Sequence, residues 1–407
     1  MILNISFENY RSFKETCTFT MVAGASRAKP NNLFETTISE NKTEVIVKSA
    51  VIFGANASGK TNIIRFLFGI VRLIRNEDTR VDKEISLYDP FKFDANVVDN
   101  PIRFLIDFVV KGIKYEYEFS FNKKDILAEK LSYYPKGESV LIFERENTEE
   151  SKHGIKFGAL PEKQTLEVFN NQLLLSKFII DTPHDIITPV ANYLANIIVA
   201  NGYHRNMLNN LYDEVIEWMS TDEENKRKLI ALLAFADTGV KDFKVKKHPE
   251  FPERYYIRSV HTLFENKEEI GTEDLPISEE SFGTRVLFVL GGKILQALNS
   301  GTPLFVDEID SGLHTHITQF LVELFRNEKI NSQNAQLILT THDVNLLDQH
   351  LIRKDQVWFT EKDEFGCSQL FSLSDFEDVK EDTPFAKWYM SQKFGAVPVL
   401  KSLEGLF

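Results

Sequence analysis

Apolar and polar positions change their period several times along the chain, and each period predicts a different kind of element. The first eight residues alternate between the two classes, and so do residues 113–121, which follow Lys111 and Gly112. A period of two indicates strands with one buried face, and a Lys-Gly pair between two such runs is typical of a tight hairpin. We therefore predict strands near the N-terminus and an antiparallel sheet between roughly residues 91 and 143.

Two regions show a helical period instead. After the short apolar run 50–53, apolar residues from Ile63 to Ile74 recur three or four positions apart. This pattern predicts a buried strand, a loop and a helix of about four turns. The helical period returns from about Thr188 to Ala236. No heptads are sustained there, so the sequence predicts a short helical insertion and no long coiled-coil arm.

Short apolar runs separated by helical stretches occupy the last third of the chain. These runs are 304–306, 337–340 and 357–359, and residues 363–366 form a predicted turn after the last of them. Strands that alternate with helices favour a parallel sheet with crossover helices. The chain as a whole is therefore predicted to be an α/β protein with a mostly parallel core sheet.

The length of the chain is sufficient for two or three packed units. Of its 407 residues, 43% are hydrophobic and 26% are charged, a balance typical of a soluble globular protein. The net charge of −13 opposes non-specific attraction to nucleic acid. A local basic cluster, made of Lys241, Lys244, Lys246 and Lys247, leaves nucleic acid open as an uncertain partner.

The N-terminal residues and the cysteines indicate the cellular compartment of the protein. The first residues lack the basic and apolar segments of a secretory leader, and no apolar run is long enough to predict a membrane span. Cys17 and Cys367 are the only cysteines, and neither lies in a CxxC pair. The sequence therefore predicts no membrane association and a reducing compartment, with the cytoplasm as the simplest choice.

Residues 54–61 match the phosphate-loop pattern GxxxxGK(S/T) between the predicted strand and helix, where that pattern has physical meaning. Glycines let backbone amides approach the phosphates, and the helix N-terminus favours their negative charge. Lys60 is expected to neutralise β- and γ-phosphate oxygens, and Thr61 to bind Mg²⁺. The predicted nucleotide-binding residues are Gly54, Asn56, Ser58, Gly59, Lys60, Thr61 and Asn62, and the predicted ligands are ATP and Mg²⁺.

Two adjacent carboxylates follow the apolar run 304–306. Ligands of a parallel sheet collect at the C-terminal ends of its strands, so Asp307 and Glu308 are placed to complete the nucleotide site. Asp307 is expected to hold the magnesium, directly or through water, and Glu308 to orient and polarise the attacking water. Acid pairs also begin many ordinary loops, so this prediction depends on the neighbouring motifs.

Two further motifs flank the acid pair. His342 follows the run 337–340 and can donate a hydrogen bond toward the γ-phosphate. Ser281 and Gly283 open a predicted amphipathic helix before the acid pair, and Ser281 is a typical helix cap. A serine hydroxyl at a helix N-terminus also forms an anion site, so Ser281 is a candidate phosphate contact.

Together these motifs resemble the RecF-like and OLD-like ABC ATPases over nearly the whole chain. The matching segments are 9–13, 54–61, 280–284, 306–314 and 340–343. The resemblance implies that 280–284 is the ABC signature, although its spelling departs from LSGGQ, and that Ser281 contacts the γ-phosphate of a nucleotide bound to a second subunit. It also implies that Asp310 is the D-loop acid and His342 the switch histidine. Closer still, 235–240, 355–359 and 393–398 look like stand-alone ATPases of bacterial abortive-infection systems of the RloA and AbiLi type, with AriA of PARIS and PtuA of Septu as more distant relatives.

The resemblance implies an ABC-ATPase head with a mostly parallel core sheet, an antiparallel β lobe and a short helical insertion. Residues 1–185 would form the N-terminal half with the phosphate loop and the lobe, 186–240 the insertion, and 241–407 the C-terminal half with the signature, acid pair and histidine. The Q-loop glutamine of such ATPases is unassigned, since the first glutamine after the phosphate loop is Gln164. The sequence leaves open whether Arg11 contacts the nucleotide or is a surface residue.

The resemblance also implies a function. ATP would close a head-to-tail homodimer, or a larger assembly built from it, and hydrolysis would reopen it. The predicted role is a switch or sensor of an antiphage system that controls a separate effector, such as an RloB-type or TOPRIM-like nuclease. Two alternatives stay open: a RecF-like ATPase that clamps DNA, against which the acidic charge argues, and a chain that is itself a nuclease.

Overall fold

The computed structural model describes residues 1–77, 80, 83–147, 154–158, 166–200, 208–247 and 255–398. Its strands are β1 (Ile2–Glu8), β2 (Cys17–Thr20), β3 (Leu33–Ser39), β4 (Lys42–Val47), β5 (Ser49–Gly54), β6 (Ile102–Val110), β7 (Ile113–Phe121), β8 (Ile126–Tyr133), β9 (Val140–Glu146), β10 (Gly154–Phe157), β11 (Ile198–Ala200), β12 (Asp242–Lys247), β13 (Tyr255–Glu265), β14 (Glu268–Pro276), β15 (Leu304–Val306), β16 (Leu337–Thr340), β17 (Val357–Lys362) and β18 (Ser368–Ser372). Its helices are α1 (Lys60–Ile74), α2 (Leu174–Ile180), α3 (Ile187–Ala195), α4 (Leu208–Thr221), α5 (Glu223–Phe235), α6 (Phe282–Ser300), α7 (Thr315–Arg326) and α8 (Phe385–Met390).

The core sheet has the strand order β11-β15-β16-β5-β17-β18. Within the described ranges its first five strands are parallel, and β18 is antiparallel to β17. Both faces are covered, because Ala50 and Ile52 of β5 face the core shared with α1 and the antiparallel sheet, whereas Val51 and Phe53 face the core shared with α6 and α7. The α/β class with a mostly parallel core sheet is confirmed, and β5 is the strand predicted over 50–53.

Antiparallel strands form a second sheet in the order β10-β9-β8-β7-β6-β1-β2. The hairpin between β6 and β7 turns at Lys111 and Gly112, whose φ angles of 50° and 76° are those of a tight hairpin turn. This hairpin is the one that the sequence predicted. The sheet extends beyond the predicted span 91–143, because β1 and β2 join one edge and β10 joins the other.

Helices α3, α4 and α5 lie in the region predicted as a helical insertion. Between α3 and α4, however, Ile198–Ala200 forms β11, which pairs with β15 at the edge of the core sheet. The sequence did not reveal this strand because three consecutive apolar residues fit a helical period as well as a strand. The divisions at 185 and 240 stay a prediction. None of the helices in the described ranges is long and apolar enough to cross a lipid bilayer.

Two small antiparallel sheets were not predicted, namely β3 with β4, and β12 with β13 and β14. β14 is largely exposed and mostly polar, and its two large apolar residues, Ile270 and Leu275, lie five positions apart, so it lacks the alternation that indicates a strand. It ends at Pro276, shortly before Ser281. The three-stranded sheet therefore adjoins the predicted signature.

Candidate nucleotide-binding site

The phosphate loop connects the end of β5, at Gly54, to the start of α1, at Lys60. Gly59 has a φ of 120°, a conformation that residues with a side chain rarely adopt, and a Cβ there would lie 2.7 Å from Ser368 Oγ. The loop therefore needs glycine at position 59 both for its backbone conformation and for space. Asn56 is exposed in the loop.

Hydroxyl groups from the β17–β18 hairpin hold the loop in place. Thr360 Oγ1 lies 2.6 Å from Ser58 Oγ, and Ser368 Oγ donates to the carbonyl of Ser58 over 2.6 Å. All three side chains are buried, where hydrogen bonds are stronger than in water. Sequence reasoning missed Thr360 and Ser368, which lie 302 and 310 residues from Ser58.

Lys60 is buried and bonds to the loop itself. Its ammonium donates to two loop carbonyls, at 2.8 and 3.1 Å. Burial lowers the pKa of Lys60 to about 8, although the carboxylates of Glu308, Asp307 and Asp310 oppose the shift. The three acids thus lie near enough to the lysine to act on its charge.

This lowered pKa predicts a pH dependence of nucleotide affinity. Lys60 is mostly protonated below pH 8 and mostly neutral above it, and phosphate oxygens bind the protonated form. We therefore expect the Kd for ATP to rise about tenfold between pH 7 and pH 9, as measured by titration with a fluorescent ATP analogue. The Lys48→Met variant, which removes another lysine with a burial-lowered pKa, should show the same pH dependence. A Kd that does not change over this range would contradict the assignment.

Asp307 lies beside Thr61, with 3.3 Å between Asp307 Oδ1 and Thr61 Oγ1. β15 and β16 are parallel neighbours, so their C-terminal ends adjoin, and Thr340 Oγ1 donates to the same Asp307 oxygen over 2.7 Å. A carboxylate and a hydroxyl supply the oxygen ligands that Mg²⁺ prefers, with phosphate oxygens of the substrate as its other usual partners. Thr61 and Asp307 therefore fit a magnesium ion.

Glu308 has a φ of 50°, which is unusual for a residue with a side chain and is concentrated at functional sites. Its backbone N–H donates to Thr340 Oγ1 over 2.8 Å. The Thr340 hydroxyl thus accepts from Glu308 and donates to Asp307, so one side chain positions both acids. The sequence analysis included Thr340 in the segment 340–343 but gave it no role, so its positioning role was missed.

Replacing Thr340 by Val should misplace both acids while keeping the size of the side chain. Each buried group that loses its partner costs roughly 1–3 kcal/mol. We expect the kcat of ATP hydrolysis to fall about tenfold or more, with a much smaller change in KM, as measured by steady-state phosphate release. The matched control is Thr318→Val, another buried threonine, in α7. An unchanged kcat for Thr340→Val would contradict the positioning role.

Asp310 and His342 complete the group of predicted site residues around Lys60. Asp310 Oδ1 accepts from Thr341 Oγ1 over 2.6 Å and from the backbone N–H of His342 over 3.4 Å. Partial desolvation and the nearby Lys60 ammonium lower the pKa of His342 below its usual value, although the three acids oppose the shift. The imidazole is therefore mostly neutral at pH 7 and retains one N–H to donate.

The N-terminal turn contacts the residue that follows Thr61. Asn62 donates to Ser12 Oγ over 2.8 Å and accepts from the Arg11 guanidinium over 3.1 Å. Arg11 also pairs with Asp89 at 2.8 Å. The structure therefore places Arg11 beside the start of α1. Gln164 lies outside the described residues.

Ser281 and Gly283 do not join this group within one subunit. Ser281 caps α6, as predicted, by accepting from the N–H of Thr284 over 3.0 Å. A Cβ on Gly283 would lie 2.7 Å from the carbonyl oxygen of Gly312, so glycine allows the predicted signature segment to touch the loop that carries Asp310. Across the described ranges, no hydrogen bond or ion pair connects Ser281 or Gly283 to the phosphate loop.

A protein family described as "AAA domain, putative AbiEii toxin, Type IV TA system" matches residues 49–348, well over half of the chain. The chain belongs to this AAA-domain family. Every predicted site residue from Gly54 to His342 lies within the matched part. The protein is accordingly a P-loop ATPase of the AAA-domain family.

Two solved structures are distantly similar to this AAA-domain protein. The SMC head domain from Thermotoga maritima is 15% identical, covers 91% of this chain and 98% of its own, and gives a TM-score of 0.42. The Smc head domain with an extended coiled coil from Pyrococcus furiosus, bound to the C-terminal domain of ScpA, is 12% identical, covers 91% of this chain and 96% of its own, and gives a TM-score of 0.42. None of the curated proteins matches the chain significantly.

Proposed function

We propose that this AAA-domain protein is an ATP-driven switch in which two copies close head to tail around the nucleotides. One observation carries the proposal. The phosphate loop, the three acids and His342 lie together, whereas Ser281, at the N-terminus of the 19-residue helix α6, makes no bond to that loop in its own subunit. A helix N-terminus favours a bound anion, and a nucleotide held by a second copy would supply it.

Nucleotide binding in this proposal relies on three side chains. Lys60 would exchange its bonds to loop carbonyls for bonds to phosphate oxygens. Thr61 and Asp307 would hold Mg²⁺, which offsets negative charge on the phosphates when bound. The ABC-type arrangement is supported by the order of the motifs along the chain and by the contact between the signature segment and the Asp310 loop.

Hydrolysis would depend on Glu308 and His342. Glu308 would polarise the attacking water, since its backbone N–H is held by Thr340, the last residue of β16. His342 would donate its remaining N–H toward the γ-phosphate. Loss of that phosphate would remove the anion from Ser281 of the second copy and so open the dimer.

The proposed output is control of a separate toxin or nuclease effector in an antiphage system, with an RloB-type or TOPRIM-like nuclease as the expected class. The family description, which names a putative AbiEii toxin and a type IV TA system, supports this setting. The competing DNA clamp requires a basic face. In the predicted basic cluster, Lys244 pairs with Asp274 at 2.9 Å, which offsets part of its charge.

The head-to-tail dimer is tested by sedimentation velocity of the full chain in the Glu308→Gln background, with and without MgATP. We expect a monomer without ATP and a dimer with it. Ser281→Arg should abolish the dimer and leave ATP binding intact, because the arginine removes the hydroxyl and obstructs the helix end. Ser300→Arg, at the opposite and also exposed end of α6, is the matched control. A protein that stays monomeric at saturating ATP would refute the proposal.

The antiphage role is tested separately, by phage plating on cells that carry the gene together with its genomic neighbours. Protection is expected with the unmodified chain and not with Lys60→Ala. Equal protection by both would show that the switch does not control the response.

A further inference from the structure

The hairpin of β13 and β14 carries an exposed apolar tip. It turns at Asn266 and Lys267, both with positive φ (51° and 73°). Beside the turn, Leu263, Phe264 and Ile270 are 41%, 61% and 56% exposed. Three large apolar side chains that are exposed around one turn mark a surface for a partner more often than isolated ones do.

The same tip is acidic. Its four glutamates are Glu265, Glu268, Glu269 and Glu273, and Lys267 is the one basic residue of the turn. None of these glutamates forms an ion pair or a side-chain hydrogen bond with any residue that the structure describes. A partner for this tip therefore needs cationic groups around an apolar contact.

The hairpin is tied to the predicted signature. Glu280, directly before Ser281, bonds through Oε1 to the Ser259 hydroxyl and lies 2.6 Å from His261 Nε2, and both partners belong to β13. Because these contacts fix Glu280 against the strand, the position of the hairpin and that of Ser281 are coupled.

A cationic groove lies beside the phosphate loop. It runs along α1, has a volume of about 490 Å³, and is lined by Arg11, Arg65, Phe68, Arg72 and Leu87, among others. Clefts of roughly 300–1,000 Å³ have room for a buried ligand, and so for the side chains of a hairpin tip. The groove adjoins the nucleotide site because Arg11 bonds to Asn62.

The charges of the groove favour an acidic occupant. Its carboxylates are already paired, Asp89 with Arg11 and Glu84 with Lys123. Arg65 is exposed and forms no ion pair or hydrogen bond within the described ranges. The charge of Arg65 is therefore opposite to that of the hairpin glutamates. Both surfaces also expose an apolar side chain, which is Phe68 in the groove and Phe264 at the tip.

We infer that the tip of the β13–β14 hairpin of one copy docks in the Arg65 groove of the other copy when ATP closes the dimer. This inference rests on the proposed head-to-tail dimer, which brings Ser281 of one copy to the phosphate loop of its twin. The hairpin is bonded to Glu280, directly before Ser281, and the groove adjoins the phosphate loop through Arg11 and Asn62. The nine residues of β14 give the hairpin a reach of roughly 30 Å, and Arg65 and Arg72 span about 10 Å along α1.

The docking predicts a reciprocal charge effect. In the Glu308→Gln background with MgATP, Glu269→Arg and Arg65→Glu should each raise the dimer dissociation constant at least about tenfold, since each places like charges together. The combined variant, with both changes in every chain, should restore dimerisation because the pair is re-formed with its signs exchanged. Sedimentation velocity measures the dissociation constants, and Glu138→Arg, at another exposed glutamate, is the matched control.

The outcomes separate this inference from the proposed function. If the Glu308→Gln parent does not dimerise with ATP, the switch itself is wrong. If the parent dimerises and the single reversals dimerise equally well, the hairpin does not contact the second copy, and a different protein would have to bind its tip. Weakening by the single changes without recovery in the combined variant would also overturn the docking. ATP affinity and thermal unfolding of each variant, expected to match the parent, show that the fold is intact.

Discussion

Replacing Glu308 by Gln is expected to lower the rate of ATP hydrolysis by roughly 10²–10⁴-fold, the range lost when a positioned base is removed. Glutamine keeps the size of the side chain, and the backbone N–H that bonds to Thr340 is unchanged. ATP binding should therefore persist and the bound nucleotide should remain intact. Phosphate release gives the rate, and analysis of nucleotide recovered from the protein shows whether it is ATP or ADP.

The control for this change is Glu328→Gln, at an exposed glutamate that lies outside the site. It should hydrolyse ATP at the unmodified rate. If Glu308→Gln did so as well, Glu308 would not act on the attacking water, and Asp310 would be the next acid to test.

Replacing Lys60 by Ala is expected to remove most of the affinity for ATP. Loss of one partner of a buried, hydrogen-bonded charge pair costs about 2–5 kcal/mol, which corresponds to roughly 30- to 5,000-fold in Kd. The loop itself should keep its fold, since Ser58 remains bonded to Thr360 and Ser368. Isothermal titration with ATP measures the loss.

Thermal unfolding of the Lys60→Ala variant without nucleotide serves as the check on its fold. Burial disfavours the charged lysine, as its lowered pKa shows, so the variant should be at least as stable as the parent at pH 7. Lys136→Ala, at an exposed lysine, should bind ATP normally. An affinity for ATP that survives Lys60→Ala would place the nucleotide elsewhere.

Short, continuous motifs made much of the site predictable. The phosphate loop needs a fixed spacing of glycine, lysine and threonine, and that spacing is local. Asp307 and His342 each follow an apolar run that reads as a buried strand. Once the strands are taken as parallel, their C-terminal ends must adjoin, so the proximity of these side chains follows from the order of elements.

Contacts that depend on the pairing of distant strands were not predictable. Thr340 reaches both acids only because β15 and β16 are neighbours. Thr360 and Ser368 reach the phosphate loop because β17 lies beside β5. A hydroxyl at the end of a strand has the same local pattern whether it bonds to a catalytic loop or to solvent. Strand β14 was missed because it is mostly polar and shows no alternation of apolar and polar residues.

The dependence of the phosphate loop on the β17–β18 hairpin has a consequence for synthesis of the protein. A growing polypeptide that ends before residue 357 has its loop already made but lacks the parallel neighbour of β5 and the two hydroxyls that brace Ser58. We expect such a nascent chain to bind nucleotide more weakly than the complete protein does. The nucleotide site is therefore expected to take its final form only after residues 357–368 have left the ribosome and joined the core sheet.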